Sequence, residues 1–158
     1  MTALVVGLGH ADRGDDGVGV VVARRVAELD LPDVVVVDHH DPTALIDLWA
    51  GHAPVVVVDA VRSGAPPGRV HRLVVGTNEP ALPAASWEAS GRGSTHGFGL
   101  AAAVALARAL HRLPERLVVI GVEAASYRHG EPLSAAVAEA VPEAVELVRE
   151  EVRNGVPG

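Results

Sequence analysis

The chain has 158 residues, of which 49% are apolar but only 3% aromatic, with no cysteine and a formal net charge of -7. That length predicts one domain, residues 1–158, with room for a sizeable core built from Val, Ala and Leu. The charge disfavours nucleic acid and anionic membrane as partners, and the lack of cysteine removes disulfides, thiolate metal sites and cysteine nucleophiles.

"ALVVGLG" is a short apolar run closed by glycines, and a helical pattern opens at "DDGVGVVVARRVAEL", so the chain begins strand, turn, helix. The start has no positively charged leader, and no run is long enough to span a membrane; both predict a soluble, cytoplasmic protein. "DVVVVD" reads as a second strand, "PTALIDLWAG" as a short helix, and "PVVVVD" as a third strand. Strands apolar on both faces and separated by helices predict a parallel sheet covered on two sides.

"GAPPGRVHRLVV" breaks the rhythm, because Pro66-Pro67-Gly68 turn the chain into a strand with no room for a crossover helix. An antiparallel edge strand is expected there. Residues 76–95 lack periodicity and hold Gly, Pro and Ser throughout, which predicts a segment that stays mobile until a large partner docks. A strongly apolar helix over about 96–113 follows, then the strand "ERLVVIGVE". The terminal helix "LSAAVAEAVPEAVELVREEV" should kink or restart at Pro142. The fold class is therefore α/β, a three-layer αβα sandwich around a mostly parallel twisted sheet of about five strands with one antiparallel edge.

Ligands of such sheets bind beyond the carboxyl ends of the strands, where Asp38 and Asp59 stand and where the turn "GLGHADRGDDG" delivers Asp12, Asp15 and Asp16. Carboxylates gathered there repel unless a cation or proton is shared. Plainer roles exist: Asp15 or Asp16 as a cap on the helix that begins there, Asp59 in a strand-end turn, His96 as a surface or satisfied histidine. "GLGHAD" supplies two glycines of a dinucleotide fingerprint and Asp38 a candidate ribose acid, but Asp15 and Asp16 would face the pyrophosphate. There is no "GxSxG" to support a serine hydrolase, and no helix with paired histidines for a zinc protease. His39 and His40 alternate sides if their strand continues, so only one could face a site with Asp38.

"LVVGLGHADRGDDGVG", "VVVVDAVRSGAPPG", "STHGFGLAAAVAL" and "VVIGVEAASYRHGEPLSAAVAEAV", in that order and at these intervals, resemble the hydrogenase maturation proteases. The likeness covers nearly the whole chain. It implies a twisted sheet between helix layers, and an endopeptidase that removes the C-terminal extension of a nickel-iron hydrogenase large-subunit precursor after nickel insertion. It implies Asp16, Asp59 and His96 as metal-contacting and catalytic residues. They would meet nickel carried by the substrate, with zinc or another divalent ion able to occupy the site in isolation. It also puts Asp38, His39, His40 and Thr43 in a loop that reads the substrate. Two departures from the family pattern stand out: His10 where asparagine is common, and the pair His39-His40 where small or neutral residues are usual. Two other readings compete, a metal-binding hydrogenase assembly factor without peptidase activity and a nucleotide-binding oxidoreductase.

Overall fold

The structure is a computed structural model that describes residues 2–76, 88–89 and 99–155. The described residues form six strands: β1 (Ala3–Leu8), β2 (Val34–His39), β3 (Val55–Arg62), β4 (Val70–Val75), β5 (Glu88–Ala89) and β6 (Leu117–Glu123). They alternate with α1 (Val18–Glu28), α2 (Leu45–Leu48), α3 (Leu100–Ala109) and α4 (Ala135–Gly155), and short 3-10 turns precede α1 (Gly14–Gly17) and α2 (Pro42–Ala44). The sheet order is β2-β1-β3-β6-β4, with β5 paired to β3 off that path. β2, β1, β3 and β6 are parallel, and β4 runs antiparallel along β6, as expected of a strand entered through Pro66-Pro67-Gly68.

Residue parity along the strands divides the core in two. Val5, Val56, Val58, Val118 and Ile120 face α1 and α4, while Leu4, Val6, Val57, Leu117 and Val119 face α2 and α3. β1, β3 and β6 are buried on both faces, which is why they read as unbroken valine runs. β2 departs from that expectation: it is an edge strand, half covered, with Val35 41% exposed. Among the described residues no helix is long and apolar enough to cross a membrane.

α1 lies unusually close to the sheet. A Cβ on Gly19 would stand 2.4 Å from the Val58 carbonyl oxygen and 2.5 Å from that of Leu8, and one on Gly7 would stand 2.2 Å from the Gly19 carbonyl oxygen. The two glycines therefore let helix backbone touch strand backbone over β1 and β3.

Two expectations change. α4 continues through Pro142 without restarting, because its buried stripe of Val137, Ala140, Val141, Ala144, Val148 and Val152 holds the axis on both sides of the lost hydrogen bond. Within 76–95, Glu88 and Ala89 form β5, pairing with Arg62 and Val61. Most of that segment, and the mobility expected of it, lies outside the described residues, as does the first turn of the helix expected from residue 96.

α4 is tied to the far edge by Glu151, buried at 4% exposure, which accepts hydrogen bonds from Arg72 at 2.8 Å and from Arg116. Burial pushes its carboxyl upward, but the hydrogen bonds from Arg116 and Arg72 outweigh this and hold it below its ordinary value of 4.5. A lowered native pKa stabilises above the unfolded value and is lost as pH falls through the native one. Glu151→Gln should cost about 1–3 kcal/mol at neutral pH, with the gap to the parent closing in acid, read by thermal denaturation across pH.

Candidate active site

The strand order reverses at β1: β2 lies on one side of it and β3 on the other. In open α/β sheets the crevice beyond such a switch point is the ligand site. Gly7 of β1 is level with Val58, so Asp59 is the next residue up β3, at the mouth of the crevice. Its side chain is fully buried and accepts a hydrogen bond from the Ala60 N–H at 2.9 Å. Asp59 shares the parity of Val55, Val57 and Val61, and so faces the α3 layer.

Asp16 reaches the same edge from the turn after β1. It is 1% exposed, and its Oδ2 accepts the His10 N–H at 3.0 Å. The fold of this turn depends on Gly9, whose φ of 129° favours glycine and whose missing Cβ would stand 1.9 Å from the Asp16 carbonyl oxygen. Neither Asp15 nor Asp16 caps the helix that follows, since the turn and α1 both lack a side-chain cap. His96 lies outside the described residues, which end one stretch at Ala89 and resume at Gly99. Among the described residues no three His, Asp or Glu side chains are grouped to hold a metal ion. Asp16 and Asp59 supply two enclosed oxygen donors of the kind a divalent ion takes.

A cleft of about 360 Å3 opens between the turn after β1 and the end of β2, lined by His10, Asp12, Arg24, Asp38, His39 and His40 among others. Asp38 is paired with Arg24 at 3.5 Å. His39 and His40 do not alternate sides. β2 ends at His39, and the chain bends so that the two rings stack with centroids 5.2 Å apart. The His10 ring lies 5.3 Å from that of His40, making a row of three imidazoles. Thr43 is exposed and turned inward on its own loop, donating from N–H and hydroxyl to Asp41 at 2.9 and 2.7 Å. A dinucleotide would have to lay its pyrophosphate against the acids of the turn before α1, where Asp15 and Asp16 are both buried.

The profile of the hydrogenase maturation protease family matches residues 20–151. The chain belongs to that family. Solved hydrogenase maturation proteases share the fold. The HycI protease of Thermococcus kodakarensis is 29% identical, with a TM-score of 0.71 over 97% of this chain and 93% of its own. The HybD protease of the same organism is 27% identical, with a TM-score of 0.69 over 95% and 98%. The HybD endopeptidase of Escherichia coli, at 21% identity, superposes with a TM-score of 0.76 over 98% and 93%. A search of curated proteins gave no match. As a maturation protease the chain is a peptide-bond hydrolase, and its site must bring acid–base groups to a substrate backbone.

Glu123 and Tyr127 were not legible as components of this edge, and Asp15, expected here, has a role that was not. Asp15, 1% exposed, binds the loop after β6: Oδ2 accepts the N–H groups of Ala125 and Ser126 at 2.7 and 3.1 Å, and Oδ1 that of Ser134 at 2.7 Å. The Ser134 hydroxyl also lies 3.0 and 2.9 Å from the two oxygens. Glu123, at the end of β6, accepts from the N–H and hydroxyl of Ser63 and contacts His71 Nε2 at 3.1 Å. Tyr127 packs its ring on the α1–α4 core under the Arg62 guanidinium, 4.7 Å from the ring centre. Only the acidity of the "GDDG" turn and the glutamate closing "VVIGVE" could have hinted at Asp15 and Glu123.

Because both oxygens of Asp15 accept from N–H groups, an amide there would turn a donor toward a donor. Asp15→Asn should lower stability by about 3 kcal/mol in urea unfolding with an unchanged m value. A loss below about 0.5 kcal/mol would mean that the loop is held by other contacts.

Proposed function

We propose that this maturation protease cuts the C-terminal extension from a nickel-loaded nickel-iron hydrogenase large-subunit precursor, using Asp16 and Asp59 together with His96. The observation that carries the reading is the pair of fully enclosed carboxylates at the switch point, in a chain of this family. Burying two acids at one edge costs stability unless something positive joins them. Nickel brought by the precursor, or zinc or another divalent ion in the isolated protein, is the natural complement of two oxygens and one imidazole. Asp16, Asp59 and His96 would hold such an ion, which would polarise a carbonyl and acidify water. The protein's own contribution is positional: β3 is a buried post that fixes Asp59, and the Gly9 turn fixes Asp16. One carboxylate takes a proton from the attacking water and returns it to the departing amine. Such a site is deliberately incomplete, so it tests whether the substrate brings metal. The step belongs to hydrogenase assembly in the cytoplasm.

Asp59→Asn keeps the shape of the side chain and removes its charge. It should abolish cleavage of nickel-loaded precursor, followed as the mobility shift of the large subunit, while the thermal midpoint stays level or rises. Processing at the parent rate would make Asp59 structural.

The cleft lined by Asp38, His39 and His40 is where the precursor tail is read, with Thr43 on the same loop outside it. The imidazole row occupies room that smaller residues would leave open. Replacing His39 and His40 together by glycine should raise cleavage of a non-cognate precursor relative to the cognate one. An unchanged ratio of the two rates would remove the histidines from specificity.

A further inference from the structure

β2 closes one side of the sheet, and among the described strands it pairs with β1 alone. That pairing runs over six consecutive residues without a bulge, and "VVVVDH" holds neither the lysine nor the proline that blunts an open edge. The carbonyls of Asp33 and His39 accept from the N–H groups of Ala3 and Gly9, so the odd residues of β2 turn their backbone groups to β1. Val34, Val36 and Asp38 therefore direct N–H and C=O outward, where no second strand among the described residues meets them.

The side chains of the same three residues lie on the α1 side. Val34 and Val36 line a groove of about 180 Å3 with Ala27 and Leu31, and Asp38 lines the cleft of about 360 Å3 with Val20 and Arg24. Positions 20, 24, 27 and 31 follow one another at helical spacing, a single stripe along α1 and the turn beyond it. Groove and cleft are thus two stretches of one track between the open edge and that stripe, joined where Arg24 pairs with Asp38. The track starts at the carboxyl edge, beside the turn after β1, and leads down β2 toward its amino end. A strand laid along it would set alternate side chains into the groove and over Val35, which is exposed on the other face.

We infer that the open edge of β2 takes the C-terminal extension of the precursor as an added antiparallel strand, bonded through its backbone to Val34, Val36 and Asp38. The inference rests on the processing reaction proposed above. Strand addition holds a peptide by main-chain hydrogen bonds and reads it by pockets for alternate side chains, which is what the edge and the track supply. The direction follows from the reaction. The extension lies on the carboxyl side of the bond to be cut, so from a bond held at Asp16 and Asp59 it runs away from the carboxyl edge, opposite to β2. From β3 to the position outside β2 is three strand spacings, about 14 Å, which roughly four extended residues span before pairing begins.

The test has two arms. Val36→Pro removes one outward N–H and leaves the bonds to β1 in place, since proline is tolerated on an open edge. With nickel-loaded precursor it should raise KM about 10-fold at unchanged kcat. A parent KM in this variant overturns the added strand and leaves the peptidase reading standing. No cleavage by the parent protein defeats the peptidase reading, and the inference with it. The second arm uses the unaltered protein, and it decides if the proline disturbs the fold. Amide hydrogen exchange of Val34, Val36 and Asp38 should be fast in the protein alone and slow about 10-fold with a synthetic peptide of the extension, while Val35 and Val37, already bonded to β1, keep their rates. Unchanged rates at the three outward amides overturn the inference. Slowing that depends on the concentration of the protein alone overturns it too, because a second copy then covers the edge.

Discussion

Everything at the functional edge is measured from the contact between α1 and the sheet. With no side chains on Gly7 and Gly19, helix backbone rests on the carbonyls of Leu8 and Val58, the residues that end β1 and precede Asp59. The turn between β1 and α1 then has one place to go, across the top of β3. A methyl group at either glycine would push the helix out, and the turn carrying Asp16 would move with it. Close packing of this kind has little slack, since interiors are as dense as organic crystals.

The same economy explains why the cores are aliphatic. Two layers of helix must sit tightly on three strands buried on both faces, and valine and alanine allow that where aromatic rings would hold the layers apart. Trp49 is the large exception, buried under α2 with its indole N–H donating to the Arg112 carbonyl at 2.9 Å. Polar groups are kept to the rims. Asp15, Asp16, Asp59 and Glu123 stand at the carboxyl edge, and Glu151 is neutralised by two arginines at the other side of the molecule.

Most of this architecture was legible in the residues, because its signals are local. "VVVVD" announces a buried strand twice, and Pro66-Pro67-Gly68 announces the reversal into β4. Asp16 and Asp59 were legible as edge acids because strand ends and a glycine turn put them there. What could not be read depends on pairs far apart in sequence. No local pattern says that Asp15 belongs to Ser134, that Ser63 belongs to Glu123, or that Tyr127 lies under Arg62. The half-covered state of β2 follows from strand order, which a run of valines does not encode. His39 and His40 would take opposite sides only if their strand continued; β2 ends at His39, and the bend after it brings the rings together.

The Asp15 clamp also bears on how the molecule is made. Its partners, Ala125, Ser126 and Ser134, lie 110 to 119 positions downstream. Closing so long a loop is entropically costly and comes late compared with the local β1–α1–β2 contacts. On the ribosome the clamp has no partner until Ala125 has emerged and is complete only with Ser134, by which time the three central valine-rich strands have all been synthesised. A growing chain thus builds its scaffold first and ties down this edge last, when nearly all of the protein is there to govern it.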